Sequence, residues 1–444
     1  MRGWLIVIAS LLAAVSAQPY AGSWNDGSRL AAAESLVDRG TWVIDDSIFV
    51  KPHRATISPY ADPDSHGTLD RVRINGRYFS DKTPVPNLGL AAIYASLRAL
   101  LGLRAAESPS RFCYLLTLFS SGAAYVIAVA CCHRLTIHAA LPKLRRLVVV
   151  ASFAVGTVAL AYTQSVNQHI WMLAVCSLLF VLLDDPGFPA IARWVGIGTC
   201  AGMGYCIDFG IGAVLVAITL VWAAYHARAV RPIVFVVVGM LPWLALHHWL
   251  NGRTGGTWLP LNMDPANFVW PGSPFTPENL TGSLPHRSPG KSVLYALDLL
   301  VGKRGFLMHN LPLWLAVIGF VPLLRKRTSD ASVLMFAASL SVGSWLLYSL
   351  MSVGSSGVCL SVRWFVPLLA PGYYVLIALL REVPEAWPDF VVLALGGFIL
   401  GVPMWQGGPW RTHMVPGYWI IVAGTLLGWL AWRLCLSGSR RSKT

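Results

Sequence analysis

A hydrophilic insert near the start of the chain, from Ala21 to about Thr83, carries most of the side chains that could do chemistry. It opens with Asn25-Asp26-Gly27-Ser28-Arg29 and closes with Tyr78-Phe79-Ser80-Asp81-Lys82-Thr83-Pro84, and apolar stretches lie on both sides of it. A carboxylate can accept a proton from a hydroxyl group, and a lysine can neutralise a phosphate as it leaves. Because crossing a bilayer needs neither group, the insert indicates a reaction site at a membrane surface.

Each of the two main candidates in the insert has a second interpretation. Asp26 precedes a predicted amphipathic helix, about Gly27 to Asp38, with Leu30 on its apolar face and Glu34 toward water. Asp26 is either a catalytic base or an N-cap that accepts first-turn amides, and it can be both only if one oxygen stays free. Lys82 either binds a lipid phosphate or reaches the headgroups as a membrane anchor.

Further candidates lie in loops that the charge pattern assigns to the same side of the membrane. His169 and Asn167 precede a predicted span, where each is either a catalytic group or an interfacial hydrogen-bonding group. Arg363 is the one basic residue of its short connection, against the charge trend, which favours phosphate binding over anchoring. Lys303 and Arg304 are further candidates for binding the donor phosphate.

The spacing of the acidic residues predicts no metal site on its own. Asp26 together with Asp81, Asp45 or Asp46 could hold a hard divalent cation, so such an ion remains an option and no cofactor is certain. Asp208, at another turn, is interpreted as a helix cap.

Composition decides which elements must position these groups. With 55% hydrophobic and only 12% charged residues and a mean hydropathy of +0.59, the chain is predicted to be an all-α polytopic membrane protein. About twelve transmembrane helices are expected, because runs near the required length of about 20 residues recur. After a shorter first segment, these runs lie near 112–133, 147–164, 170–183, 190–207, 210–225, 232–250, 308–324, 331–352, 364–380, 388–405 and 418–434.

The distribution of Lys and Arg orients these spans. The connections on one side contain most of the basic residues, including Arg134, Lys143, Arg145, Arg325 and Arg381. By the positive-inside rule, that side and the C-terminal tail are cytoplasmic, and the insert is outside. The net charge of +14 is thereby explained by orientation and lipid phosphates, and no nucleic-acid partner is expected.

The same count predicts that the apolar segment 86–103 does not cross the membrane. The predicted division of the chain is a first transmembrane segment (1–20), an extracytoplasmic loop with the catalytic candidates (21–85), an interfacial or re-entrant helix (86–110), spans 2 to 7 (111–250), a second extracytoplasmic loop (251–307), spans 8 to 12 (308–434) and a basic cytoplasmic tail (435–444). A rival interpretation makes residues 1–17 a cleaved signal peptide, which leaves the insert outside as well.

The motifs of the insert resemble those of the GT-C superfamily of polytopic membrane glycosyltransferases, in particular the bacterial aminoarabinose transferases and protein mannosyltransferases. Those enzymes open the first outer loop with the pattern D-E-x-R, which here reads Asp26-Gly27-Ser28-Arg29. They close it with an aromatic residue, an acidic residue, Lys and Pro-Pro, which here corresponds to Tyr78 through Pro84. The long first outer loop with its juxtamembrane helices also agrees.

The resemblance implies a glycosyltransferase of the plasma (inner) membrane and cell envelope, with its active site outside the cytoplasm. A sugar would move from a polyprenyl-phosphate donor to a lipid, glycan or protein acceptor, with the donor and membrane lipid as partners. The catalytic carboxylate would be Asp26, and Lys82 would face the donor phosphate. Arg363 suits stabilisation of the leaving phosphate.

Two positions depart from the family pattern. Gly27 occupies the second acidic position of the opening motif, and Asn167-Gln168-His169 stands where many relatives have another acid. These departures argue against a two-carboxylate or metal-assisted mechanism and leave His169 to fill that space. The alternative hypothesis is a non-catalytic carrier or translocation protein for lipid-linked glycans, or an inactive family member.

Overall fold

The computed structural model describes residues 2–51, 67–185, 187–227, 230–276, 280, 288–326, 330–354, 357–411 and 413–441. These residues form helices and one antiparallel hairpin of β1 (Arg71–Ile74) and β2 (Arg77–Ser80). The helices are α1 (Arg2–Ser16), α2 (Trp24–Arg39), α3 (Pro84–Leu101), α4 (Pro109–Thr117), α5 (Ala123–His138), α6 (Lys143–Val155), α7 (Gln168–Asp184), α8 (Ala190–Ile207), α9 (Phe209–Ala227), α10 (Val230–Gly255), α11 (Pro289–Val301), α12 (Phe306–His309), α13 (Leu313–Arg325), α14 (Ala331–Met351), α15 (Leu369–Glu382), α16 (Trp387–Gly407) and α17 (Tyr418–Arg441).

The prediction of an all-α integral membrane protein is confirmed, but the number of twelve spans is not. Each predicted run overlaps a helix, and 7 helices of the described chain are long and apolar enough to cross a membrane. An eighth span results if Pro289–His309 and Leu313–Arg325, which meet at a 102° bend, count as one. Some predicted runs are only partly helical; the run 147–164, for example, leaves the α-helix after Val155.

The helices differ in how far they are enclosed by protein. The apolar window of Arg363–Glu382 is 89% buried inside the protein, whereas that of Tyr418–Cys435 is only 11% buried. Helix α15 is therefore central, and α17 is exposed over most of its surface. Helices α8 and α10 pack closely because Gly198 has no side chain: a Cβ atom there would lie 1.9 Å from the carbonyl oxygen of Val236.

The insert packs as a small unit on the bundle. Helix α2 begins at Trp24, earlier than predicted, because Ser23 caps it. The prediction that Glu34 faces water is wrong: its side chain is 1% exposed and pairs with Arg39 at 3.0 Å. Helix α3 packs against α2 and is joined to it by Arg98, which donates to Asp38 at 2.8 Å. The position of α3 relative to the membrane remains a prediction.

The hairpin connects α2 to the beginning of α3. Its turn residues, Asn75 and Gly76, have φ of 50° and 80°, which is the left-handed geometry of a type I′ turn. Val72 packs with Leu261 and Phe268, which lie between α10 and α11. These contacts hold the end of β2, and with it the following Asp81-Lys82 pair, against the helix bundle.

Candidate functional site

A polar cleft of about 440 Å³ opens where the insert meets the helix ends. It brings together Lys82, His169 and Arg363, three of the predicted site residues. Its other polar or charged lining residues are Asn25, Asp70, Asp81, Thr83, Gln168, Asp208, Asn262, Tyr348 and Trp364. The cleft is therefore assembled from α2, the residues that flank the hairpin, α7, the α8–α9 junction, the segment after α10, α14 and the turn before α15.

Lys82 forms the ionic centre of the cleft. Its Nζ lies 2.7 Å from Asp70 Oδ2 and 2.7 Å from Asp81 Oδ2, and the lysine side chain is only 11% exposed. An ammonium group has three N–H donors, so one remains for an incoming anion. Burial raises the pKa of Asp81, and the neighbouring Lys82 opposes that shift.

A chain of hydrogen bonds crosses from the insert into the bundle. The buried Arg29 donates to the Gln168 side-chain oxygen, and the Gln168 amide donates to Asp208 at 2.9 Å. Asp208 also accepts from the Tyr348 hydroxyl at 3.2 Å. Burial lowers the pKa of Arg29 to about 10, which leaves it cationic at neutral pH. Arg29 therefore fixes the orientation of Gln168 and Asp208 at the cleft wall.

Arg363 and Trp364 form the wall opposite the insert. They begin the 3₁₀ turn Arg363–Leu368 that leads into α15. The Trp364 ring stacks on Tyr348 with 4.5 Å between centroids and 5° between planes. The Arg363 guanidinium lies 5.6 Å from the centre of the Trp410 ring. These contacts place a cation and two aromatic rings on one side of the cleft.

His169 lies at the first turn of α7 and faces the cleft. Its side chain is 1% exposed, and neither ring nitrogen has a hydrogen-bond partner within the described part of the chain. Its ring meets Tyr162 edge-on at 6.2 Å. A buried polar group without a partner costs free energy, so this imidazole is placed to bind a group that enters the cleft.

The structure does not bring Asp26 into this cleft. Its Oδ2 accepts the Gly22 amide at 2.6 Å, and its Oδ1 accepts both the amide and the hydroxyl of Ser23 at 2.6 Å. Ser23 and Asp26 thus form a capping box at the start of α2. The N-cap is Ser23, and Asp26 is the N3 residue of the same capping box, so the prediction that Asp26 is the N-cap is wrong by three residues. Both oxygens of Asp26 are engaged, so the condition of one free oxygen is not met. Burial raises the pKa of Asp26 to about 6.

Three other predicted site residues also lie apart from the cleft. Asn167 caps α7: its side-chain oxygen accepts the Ile170 amide at 3.2 Å, and its amide group donates to two backbone carbonyls. Arg304 donates to the Gly357 carbonyl oxygen, and Lys303 is exposed. The predicted cap at Asp208 is present, since Asp208 accepts the Gly210 amide at 3.1 Å.

The acidic residues proposed around a divalent ion do not converge. Asp45 accepts the Tyr78 amide at 3.0 Å, and Asp46 pairs with Lys51 at 2.7 Å. Asp81 pairs with Lys82, and Asp26 is held in its capping box. Within the described ranges, no group of three or more His, Cys, Asp or Glu is placed to hold a metal ion.

An apolar groove of about 770 Å³ lies beside the polar cleft. It runs between α3, the α4–α5 segment, α7 and α8, and its walls include Ile93, Ile127, Trp171 and Met203. Ile207 lines both the groove and the cleft. An apolar chain in this groove would end next to the charged residues of the cleft.

Several cleft residues could not be recognised from the sequence. Asp70 precedes β1 in a polar stretch, where an aspartate most often faces solvent. Tyr348 and Trp364 lie in apolar runs, where aromatic residues usually indicate packing or an interface. The signal that was available is the Asn75-Gly76 turn, which predicts a hairpin and would have placed Asp70 and Asp81 near one end of it.

The comparisons with known proteins show the fold. The chain is similar to the crystal structure of ArnT from Cupriavidus metallidurans bound to undecaprenyl phosphate, with a TM-score of 0.51 and 14% identity over 96% of this chain and 76% of that chain. It is similar to the apo state of the same protein with a TM-score of 0.50 and 15% identity, over 96% and 75% of the two chains. No family model and no curated protein sequence matches. The predicted resemblance is confirmed for the fold.

Proposed function

We propose that this integral membrane protein is a glycosyltransferase that takes a sugar from a polyprenyl-phosphate donor. The acceptor would be a lipid, a glycan or a protein, and transfer would occur on the extracytoplasmic face of the plasma membrane. The fold shared with ArnT supports this proposal, and that protein has been solved bound to undecaprenyl phosphate. The basic connections on the opposite side support the orientation.

The observation that carries the proposal is that the polar cleft and the apolar groove are neighbours, with Ile207 lining both. A polyprenyl-phosphate sugar has a long apolar chain, a phosphate and a polar sugar in that order. The groove of about 770 Å³ is apolar, and it shares the lining residue Ile207 with a cleft that contains Lys82, Arg363 and His169. The order of the two cavities matches the order of groups in the donor.

The cleft residues can supply the stabilisation that transfer requires. When the bond between the sugar and the phosphate breaks, its electron pair goes to the phosphate oxygen. The third N–H of Lys82 and the guanidinium of Arg363 would stabilise that negative charge. His169 would donate to or accept from a hydroxyl group of the bound sugar. Trp364 would offer an aromatic surface beside it.

The test is release of undecaprenyl phosphate by the purified protein in nanodiscs. A panel of synthetic undecaprenyl-phosphate monosaccharides would be supplied, with and without EDTA, and lipid release would be followed by chromatography. We expect turnover of at least one donor, and loss of that turnover in Arg363→Ala. Absence of release from every donor in the panel would contradict the proposal.

One observation favours a second candidate function, a carrier for lipid-linked glycans without catalysis. Both oxygens of Asp26, the acid in the motif that resembles the catalytic one, are occupied by Gly22 and Ser23. A carrier would bind undecaprenyl phosphate through Lys82 and Arg363 but would release no sugar. The nanodisc experiment separates the two functions when binding and release are measured on the same sample.

A further inference from the structure

We propose that Asp70 is the general base that activates the acceptor, in place of Asp26. This inference rests on the proposed glycosyl transfer and names the residue that removes the acceptor proton. The carboxylates around the cleft differ in how many of their oxygens accept a hydrogen bond, and the backbone next to Asp70 is held in place.

Both oxygens of each of the other acids that line the cleft already accept a hydrogen bond. Asp208 Oδ1 accepts the Gly210 amide at 3.1 Å, and its Oδ2 accepts the Gln168 amide at 2.9 Å. Asp81 Oδ1 accepts the Ser28 hydroxyl at 3.1 Å, and its Oδ2 accepts Lys82 at 2.7 Å. A base must reach the proton that it removes, so an oxygen engaged by an internal donor is poorly placed for this role.

Asp70 has one engaged and one open oxygen. Its Oδ2 accepts Lys82 Nζ at 2.7 Å, and no hydrogen bond reaches Oδ1 from the described residues. The side chain is 14% exposed, and it lines the cleft. The carboxylate is therefore oriented by one contact and leaves its second oxygen to a ligand in the cleft.

The backbone around Asp70 is held firmly. Two residues earlier, the buried Thr68 donates its amide to the Phe49 carbonyl at 2.8 Å and its hydroxyl to the Trp24 carbonyl at 2.6 Å. Two residues later, Val72 is fully buried in β1. With the backbone held on both sides and Oδ2 bound by Lys82, the Asp70 carboxylate is preorganised in the cleft.

An independent observation shows that the cleft is arranged to receive a polar ligand. His169 is 1% exposed, lines the same cleft and has no partner for either ring nitrogen among the described residues. An unsatisfied imidazole and an open carboxylate oxygen thus face one cavity. A sugar and an acceptor hydroxyl would satisfy both.

Asp70 Oδ1 takes the proton of the acceptor hydroxyl while the acceptor oxygen forms a bond to the anomeric carbon. The bond from that carbon to the phosphate oxygen breaks, and the electron pair leaves with polyprenyl phosphate. Lys82, which contacts Asp70 in the structure, also has a donor for the phosphate, so base and leaving-group stabiliser are adjacent.

The experiment measures hydrolysis of a synthetic undecaprenyl-phosphate monosaccharide, in which water replaces the unidentified acceptor. Asp70→Asn should lower the rate by at least about 100-fold, the usual contribution of a general base, while binding of undecaprenyl phosphate stays within about threefold. Asp26→Asn should lower the rate by no more than about fivefold per folded molecule.

Asp81→Asn is the matched control, because it removes the other carboxylate that contacts Lys82. If Asp70 acted only through the charge of Lys82, the two variants would lose similar activity; we expect the Asp81 variant to lose at most about tenfold. Normal hydrolysis by Asp70→Asn, or equal losses in both variants, would overturn the assignment while the proposed function stands. No hydrolysis by the parent protein, with any donor of the panel, would overturn both.

Discussion

Both ends of the hydrophilic insert pair a serine with an aspartate, and the two pairs differ in what surrounds them. At the beginning, Ser23 and Asp26 bind each other and the first backbone amides of α2. At the end, Ser80 and Asp81 bind Ser28 on α2 and the ammonium group of Lys82. The first pair caps the N-terminus of α2, whereas the second connects distant segments of the chain at the cleft. The same residue types therefore have local or long-range roles according to their partners.

Among the variants of the insert, Lys82→Ala is expected to have the largest effect on lipid affinity and stability. It removes the cation between Asp70 and Asp81, whose side chains are 14% and 10% exposed. We expect affinity for undecaprenyl phosphate in nanodiscs to fall by about 10- to 100-fold, because a charged hydrogen bond contributes about 1.5–3 kcal/mol. The free energy of unfolding should also fall, since buried charges lose their partner.

Lys51→Ala is the control for Lys82→Ala. Lys51 lies on the same insert and pairs with Asp46 at the same distance of 2.7 Å, but the two side chains are 71% and 72% exposed. An exposed ion pair contributes little, so affinity and stability should change by less than about 0.5 kcal/mol. Equal losses in the two lysine variants would show that burial does not distinguish the two ion pairs.

A second prediction concerns two nearby residues at the start of α7. His169→Ala should lower turnover by roughly 100-fold, because the variant loses a hydrogen bond to the sugar. The melting temperature should change little, because neither ring nitrogen has a hydrogen-bond partner among the described residues to lose. Asn167→Ala should instead lower stability and leave turnover nearly unchanged. Loss of an N-cap costs about 1 kcal/mol of stability, while turnover per folded molecule should remain within a few-fold.

Thermal unfolding in detergent and donor hydrolysis on the same samples would check this pair. If Asn167→Ala remained folded but lost turnover, the capping interpretation of Asn167 would be incomplete. If His169→Ala kept full turnover, the open ring nitrogens would have no part in binding the sugar.

A third prediction uses the pH dependence of the capping box. Burial raises the pKa of Asp26 from 3.8 to about 6, so the folded protein binds an additional proton between these values. The contribution of Asp26 to stability is therefore fully present below about pH 4 and decreases as pH rises through 6. Relative to Asp26→Asn, the parent should lose roughly 3 kcal/mol across this window. Melting curves of both proteins, recorded from pH 4 to 7, check this. If the two melting temperatures changed in parallel with pH, Asp26 would not titrate in this range and the prediction would be wrong.

The last prediction concerns the side of the membrane on which two positions lie, and no change in activity is expected. Glu107, with a side chain that is 64% exposed, follows α3, and the natural Cys435 is exposed at the other end of the chain. In spheroplasts, an impermeant maleimide should label Glu107→Cys directly and Cys435 only after permeabilisation. Labelling of position 107 only after permeabilisation would place residues 86–110 on the cytoplasmic side.

Much of the architecture was predictable because apolar runs long enough to form membrane helices leave few alternatives. The helix that contains Asp26 and the helix after Lys82 were predicted to within a few residues of their observed bounds. Prediction of the site was less complete. Lys82, His169 and Arg363 share a cleft as expected, whereas Asp26, Asn167, Lys303 and Arg304 lie outside it. The hairpin of β1 and β2 was not predicted, although Asn75-Gly76 is a strong turn signal.

The sequence alone determined that the chain is an α-helical membrane protein with a polar segment between its first helices, because hydropathy is a property of each run by itself. It also determined which residues can carry charge at that segment. Only the tertiary structure decided which acid has an open oxygen. Asp26 and Asp70 are equivalent in type, but one accepts three hydrogen bonds from its own helix cap and the other accepts one from Lys82. The partners of Asp26 lie within 4 residues of it, whereas Lys82 is 12 residues from Asp70 and reaches it because the hairpin folds back. The type of a residue does not specify which of these partners it has.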